Sequence, residues 1–531
     1  CDYRILFNKG KILTALHDYK SAALYFKQTL EIQPELLEPR LMLARTYYFD
    51  GNLPEALTAY MDAIDVAPDD PSAFFEISDC LRDVNFTFSF SRLKIILQKI
   101  LERGWYSNPT SIVPTAISII KSEPIFTTSL SEFREDGKLL TIEQITHLSA
   151  ANPIFLKLLE TANITDIEIE NFLRCIRFTL LTTLNDSQKT AQLLDFLLAL
   201  SLQCFGNEYL FPETSEESDL VQNLEQKISA DAIKPNGPDD FDICLLACYR
   251  PLSSFGWAAS LLLSQKLTRL VQIHLTDPCL ESKLKNNFAT LKEPTNVVSQ
   301  KMKEQYEDYP YPRWTGSKLR PATTKLIDFA RASNLKVDLA CLNESEDTTT
   351  LIAGCGTGRQ IFNNLASYNS SKILALDLSI SSLAYAKRKT DEFNIKNVEF
   401  IQGDILDLGE VEESFDVVEC MGVLHHMENP KHGWKILVDR MKVGGLIKIG
   451  LYSHSARQDI SKIRLEIKNI GLTGTNQNMK IFRNHLINSD EPHHQRVSKT
   501  LDFFSTSNLR DLLFNEHEKH FTIPEIQENL S

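Results

Sequence analysis

A run that reads as a buried strand, residues 348–353, enters Gly354-Cys355-Gly356-Thr357-Gly358 and continues into a helical pattern over 359–368. A strand, a glycine loop and a helix in immediate succession leave few folds open. Glycine lets the backbone turn sharply and come close to a ligand, and the first turn of the helix offers unpaired N–H groups. A second apolar run, 373–376, ends at Asp377, 23 positions beyond Gly354, where a carboxylate suits the two hydroxyls of a ribose. A third run, 398–402, is followed by Asp404, and a fourth, 416–420, leads into Met421-Gly422-Val423-Leu424-His425-His426. Gly444-Gly445 then introduces a fifth at 446–451. Strands alternating with helices at this spacing predict a doubly wound parallel sheet, its ligand a nucleoside at the carboxyl ends of the strands.

The first hundred residues carry a different signal, a repeat at an offset of 34 that pairs Tyr19 with Leu53, Ala22 with Ala56, Phe26 with Tyr60, Leu30 with Ile64 and Pro34 with Pro68. Leu43 and Ala44 recur as Ile77 and Ser78. This is the period of tetratricopeptide repeats, whose helical hairpins bury their apolar faces only by stacking, so helices downstream are expected to cap the array. Two readings stay open for the repeats, a stacking scaffold or a groove for a protein partner. Residues 103–301 read as mostly helical, with loops at 213–218 and 234–240 and a core helix at 193–205 that is apolar nearly all round. Cys244 and Cys248 share a helical face and read as small core residues.

A chain of 531 residues exceeds one hydrophobic core, at about 150 residues per domain. Its net charge of −14 would repel a phosphate backbone, which speaks against a nucleic-acid partner. No stretch reaches the roughly 20 uninterrupted apolar residues of a membrane span. The ten cysteines are scattered without a CxxC pair, a pattern of reduced thiols that favours the cytoplasm. Because the sequence opens at Cys1 rather than Met, truncation at the termini is expected.

The segments LIAGCGTG, LALDLS, QGDILDL, FDVVECMGVLHHMENP and KVGGLIKIGLYS, spread over about 348–455, resemble the ordered motif series of class I S-adenosylmethionine-dependent methyltransferases. The run Gln305-Tyr306-Glu307-Asp308-Tyr309-Pro310-Tyr311-Pro312-Arg313-Trp314, with 204–211 and 502–514, is also similar to bacterial members that carry N-terminal tetratricopeptide repeats. The resemblance implies that Gly354, Cys355, Gly356, Thr357 and Gly358 lie along the methionine part of S-adenosylmethionine. Asp377, followed by Leu378, would hold the ribose, Asp404 with Ile405 would surround the adenine, and Met421 would also meet the cofactor. The methyl acceptor is left open, protein or small molecule. The series departs from the family at Ile352, where many members place an acidic residue two positions before the first loop glycine. Anchoring of the methionine ammonium then falls to backbone carbonyls or another side chain.

The expected fold is therefore α/β: tetratricopeptide helices over 1–102, a helical middle region over 103–300, an aromatic and proline-rich lid or linker over 301–345, a Rossmann-like class I methyltransferase domain over 346–480 and a truncated helical extension over 481–531 that completes or covers the sheet. The expected activity is methyl transfer from S-adenosylmethionine, with the repeats docking a partner or substrate. The alternatives are a non-catalytic scaffold with a relict cofactor fold, and a nicotinamide-dependent oxidoreductase. The last is disfavoured because Arg359 stands where the third glycine of GxGxxG would be. His425, His426 and Tyr311 are the candidate catalytic groups, the histidines as a general base, although transfer to an already nucleophilic acceptor needs none. Cys355 beside a helix N-terminus lacks a base partner and reads as packing against the cofactor. His493-His494 and His517/His520 lack metal-ligand spacing and are expected as solvated histidines, with no metal site. In the acidic run from Asp404 to Glu419, residues 408–414 read as a solvated loop or short helix between strands, with charges facing water, and Asp404 alone stands out. Over 306–314, Pro310 and Pro312 are expected to hold an extended lid that presents Tyr309, Tyr311 and Trp314 to the cofactor.

Overall fold

The computed structural model describes residues 2–82, 84–87, 91–103, 109–136, 140–261, 263–316, 322, 324–333, 336–340, 342 and 347–530. Cys1, the start of the expected catalytic domain at 346, and positions 317–321, 323, 334–335, 341 and 343–345 of the expected linker lie outside the described residues. The chain packs as two compact units, Cys1–Ala162 with Thr315–Lys318, and Asn163–Trp314 with Leu319–Ser531. Their division falls inside the expected middle region, at Ala162/Asn163. No helix among the described residues is long and apolar enough to cross a membrane.

In the first unit the repeat becomes helical hairpins: α1 (Tyr3–Ala15), α2 (Tyr19–Ile32), α3 (Leu37–Phe49), α4 (Leu53–Val66) and α5 (Pro71–Cys80). Asp18 and Asp70 cap α2 and α5 by accepting the amides of Ser21 at 3.2 Å and Ser72 at 2.8 Å. The small residues Gly10, Ala44 and Ser78 recur at the repeat interval and are buried, which lets paired helices approach. The helix Ser91–Glu102 packs on α4 and α5 and buries Leu93, Ile96, Leu97 and Ile100, the cap that such an array requires.

The second unit opens with helices that include Ile167–Thr183 and Ala191–Gly206, the latter buried nearly all round as its apolar circumference predicts. A six-stranded parallel sheet follows: β1 (Ala289–Thr290), β2 (Thr349–Ala353), β3 (Lys372–Asp377), β4 (Val398–Gln402), β5 (Phe415–Met421) and β6 (Met441–Gly450), in the order β1-β4-β3-β2-β5-β6. The short edge strand β1, inside the expected all-helical region, has no apolar run to mark it. β6 starts before the glycine pair, but its register shifts between Phe415↔Met441 and Val417↔Leu446, and continuous pairing begins at Leu446.

Both faces of the sheet are covered, as a parallel sheet requires. Leu351, Ala353, Leu374, Leu376 and Val418 pack on one side with Trp434 and Leu437, and Ile352, Ile373 and Ala375 on the other with Phe362, Leu383 and Trp314. The C-terminal helices do not simply spread over the sheet. Gln458–Asn469, Asn476–Ile487 and Thr506–Leu513 build a further core around Ile463, Met479, Leu486, Phe503 and Leu210, while Ile526 packs against one face of the sheet. Beside that core Arg483 forms a bidentate pair with Glu170, both bonds 2.6 Å, and its Nε donates to the Phe503 carbonyl at 2.8 Å.

Candidate active site

The strand order reverses between β2 and β5, which opens a crevice at their carboxyl ends, the place where doubly wound sheets take ligands. The glycine loop leaves β2 there. Gly354 has φ +75°, and a Cβ on it would stand 2.3 Å from Val423 Cγ2; Gly356 has φ +51°, and its Cβ would stand 2.7 Å from the Tyr311 carbonyl oxygen. Side chains at either position would fill the cradle between this loop, the turn after β5 and the aromatic segment. The cavity left open measures about 300 Å3, at the lower end of the roughly 300–1,000 Å3 of small-molecule sites.

Asp377, the last residue of β3, turns its carboxylate into this cavity. One oxygen accepts the Gly356 amide at 2.7 Å and the other the Ser379 amide at 2.9 Å. Burial pushes its pKa up to about 6, against the stabilising pull of those two amides. Asp404 caps the turn Ile405–Glu410 by accepting the Leu406 amide at 3.0 Å, and it lines the cavity with Ile405, Leu378 and Met421.

Of the residues expected at the cofactor, Gly354, Cys355, Gly356, Asp377, Leu378, Asp404, Ile405 and Met421 line the cavity, whereas Thr357 and Gly358 stand outside it. The Thr357 hydroxyl donates to the Pro312 carbonyl, and Gly358 closes on Ala386, so these two hold the loop to its neighbours. Burial raises the Cys355 thiol well above its ordinary pKa, the opposite of an activated nucleophile.

The aromatic segment divides. Tyr306 ends up in the helix Val297–Asp308 and lines the cavity together with Tyr311 and Pro312. Trp314 turns away: its ring packs edge-on against Phe362, and its Nε1 donates to the Thr357 carbonyl at 3.1 Å. Tyr309 also leaves the cavity and donates to Asn476 Oδ1 at 2.7 Å. The Tyr306 hydroxyl donates to Asp511 at 2.7 Å, and burial with that carboxylate raises its pKa well above the ordinary value, so it stays protonated.

The two histidines separate just as clearly. His425 is fully buried and stacks on Tyr452 at 3.8 Å, and burial drives its pKa down to about 2, which leaves it without the basicity of a proton acceptor. His426 lines the cavity; its Nδ1 lies 2.7 Å from the His517 carbonyl, which assigns the proton to Nδ1 and leaves Nε2 as the acceptor, 4.0 Å from Asp511.

Sequence reasoning missed Tyr452 and Gln360 on the cavity wall and the buried acids behind it. Residues 409–410 and 412–414 are exposed, as the solvated reading of 408–414 expects, whereas Asp416 and Glu419, on β5, face inward: Asp416 accepts the Thr349 amide at 2.8 Å and pairs with Lys442 at 2.8 Å. Glu419 is register-paired with Ile352 and accepts hydrogen bonds from Gln360, from Asn364 at 2.8 Å and from Tyr368 at 3.2 Å. A glutamate in the middle of an apolar strand run was the available signal.

The family described as a methyltransferase domain matches residues 344–493, across this cavity, and the tetratricopeptide repeat family matches residues 13–74. The chain carries a methyltransferase domain preceded by tetratricopeptide repeats. Over 116 residues it is 34% identical to an uncharacterized protein of Synechococcus sp., a stretch that covers 22% of this chain and 28% of the relative. Over 117 residues it is 33% identical to the ubiquinone biosynthesis O-methyltransferase of Rickettsia bellii, covering 22% of this chain and 46% of that one. The chain thus spans less than half the length of these relatives. Among solved structures, PKMT2 from Rickettsia typhi aligns at 21% identity and a TM-score of 0.30, over 40% of this chain and 44% of that one. In the methyltransferase domain the sheet has the Rossmann-like order that the motif series implies.

Proposed function

We propose that the protein is an S-adenosylmethionine-dependent methyltransferase whose acceptor enters on the tyrosine-lined side of the cavity, and whose repeats dock the substrate or a protein partner. The observation that carries this reading is the Asp377 carboxylate facing the same cavity as the glycine loop. Each of its oxygens already accepts one backbone amide and has a further lone pair for a ribose hydroxyl. When bound, S-adenosylmethionine supplies a methyl group on a sulfonium, activated for direct attack by a nucleophile. Gly354 and Gly356 let the main chain close on the ligand, and Leu378, Ile405 and Met421 form an apolar wall. Gln360, held through its amide nitrogen by Glu419, accepts Asn363 Nδ2 at 3.4 Å on its carbonyl oxygen, which has a further lone pair for an ammonium group. It would take the part that an acidic residue at position 352 plays in relatives. Tyr306, Tyr311 and Tyr452 shield the acceptor side from water, and His426 Nε2 is the group placed to hold a proton that the acceptor loses.

Two measurements test this. Calorimetry with S-adenosylmethionine, S-adenosylhomocysteine and NAD should give binding of the first two alone, and extract treated with a labelled methyl donor should yield labelled product. Affinity for S-adenosylmethionine should be level above pH 6 and fall by about tenfold per pH unit below it, because the ribose needs the ionised Asp377, whose pKa is about 6. A flat profile down to pH 5 would remove Asp377 from the binding step. Tyr311→Ala should weaken S-adenosylmethionine by about 0.5–2 kcal/mol and S-adenosylhomocysteine less, since an aromatic face attracts the sulfonium and not the neutral product. Equal losses for the two ligands would assign Tyr311 to packing.

A further inference from the structure

His493 and His494, expected as solvated side chains, meet a carboxylate: they stand on the helix Pro492–Val497 and face Glu466 of the helix Gln458–Asn469. His493 Nε2 lies 2.8 Å from one Glu466 oxygen and His494 Nε2 lies 2.7 Å from the other. One donor atom from each of the three residues lies within 4.8 Å of the others. His494 is only 3% exposed, and its other nitrogen, Nδ1, is 2.8 Å from Ser489 Oγ. The Nδ1 of His493 faces Glu491 at 3.9 Å.

We propose that Glu466, His493 and His494 bind a divalent transition-metal ion, zinc by the chemistry of the donors, and that the ion clasps the two helices together. Two imidazoles and a carboxylate form a nitrogen and oxygen set that suits zinc, with solvent at the remaining position because Glu466 is partly exposed. The geometry is close to what the ion needs. Ligand atoms bonded at about 2.0–2.1 Å around a tetrahedral ion stand about 3.3 Å apart; the 2.7 and 2.8 Å contacts, which run to different Glu466 oxygens, would open by about half an ångström, and the remaining separation, within 4.8 Å, would close as the rings turn onto one ion. A metal-bound imidazole normally places its other N–H on an oxygen acceptor, which fixes the ring. Here that outer layer is in place for one ring: each neutral ring would move its proton from Nε2 to Nδ1, where Ser489 Oγ accepts it from His494, while Glu491, 3.9 Å from His493 Nδ1, would have to close on it to do the same. The site lies outside the cofactor cavity and does not depend on the proposed methyl transfer.

The test is zinc titration of the full-length protein after chelator treatment, with cobalt as a spectroscopic probe and thermal unfolding as a second readout. The expected result is one zinc ion per chain, a raised melting temperature, and a visible cobalt spectrum typical of four-coordinate nitrogen and oxygen ligation. Glu466→Gln and His493→Ala change the partly exposed members, so the fold should be retained. Each should weaken zinc binding by at least about tenfold and remove the thermal shift. Zinc affinity equal in the wild type and in both variants, whether strong at other histidines and thiols or absent altogether, would overturn the site.

Discussion

Glu170→Ala is expected to destabilise the second unit by about 3–5 kcal/mol, because it strands the Arg483 guanidinium in the interior. Both members of this pair are 3% exposed, so water cannot take the place of the missing carboxylate. The two 2.6 Å bonds are lost together, and the one remaining bond, to the Phe503 carbonyl, does not neutralise the charge. Differential scanning calorimetry of the full chain should show one transition moved to lower temperature. The combined replacement Glu170→Leu with Arg483→Met should recover much of the loss, since a pair of well-packed apolar side chains often matches a buried ion pair. A Glu170→Ala protein that melts like the wild type would mean that the arginine finds solvent or another partner.

Asp377→Ala is expected to weaken S-adenosylmethionine by about 1.5–3 kcal/mol, or about 10- to 150-fold, the range of hydrogen bonds to a charged group. The same change also frees the Gly356 and Ser379 amides, so part of the loss comes from a looser glycine loop. Asp377→Asn removes the charge and turns an NH2 toward one of the two backbone amides, keeping a carbonyl acceptor for the other. Its affinity should be intermediate and should not vary between pH 5 and 7, where the wild-type affinity changes. A folded Asp377→Ala protein with unchanged affinity would exclude the ribose role.

The central sheet was legible in the sequence because buried parallel strands are rich in apolar and β-branched residues: 373–376 is apolar throughout, 348–353 is threonine followed by Leu351, Ile352 and Ala353, and 398–402 carries Val398, Phe400 and Ile401. β1 was not legible: two residues, Ala289 and Thr290, carry no period, and only their pairing with Ile401 and Gln402 makes them a strand. The glycine loop was read correctly as a strand-to-helix turn, but the side on which each residue falls depends on what packs behind it. Thr357 and Gly358 are drawn to Pro312 and Ala386, partners 45 and 28 positions away that no local pattern connects to them. His425 and His426 look equivalent as neighbours in sequence. The short turn Leu424–His426 sends one ring under Tyr452 and the other to the cavity wall, a difference set by what packs on each ring, since both are buried. The Glu466, His493 and His494 cluster joins two helices across 27 residues of chain, a spacing that no ligand motif flags.

Tyr306 and Asp511, joined by a hydrogen bond across 205 residues of chain, give the cavity a history as well as a shape. The side proposed for the nucleotide is made from the ends of β2, β3 and β5 and the turn after β4, all between Gly354 and Met421, so its contacts require the closing of shorter loops. The acceptor side requires a far longer loop to close, and closure entropy grows with loop length. By that measure the wall proposed to meet the acceptor is expected to be completed during folding after the wall proposed to hold the cofactor. Local opening in the finished protein is expected in the reverse order, with hydrogen exchange faster around Tyr306 and Asp511 than in the sheet and its glycine loop.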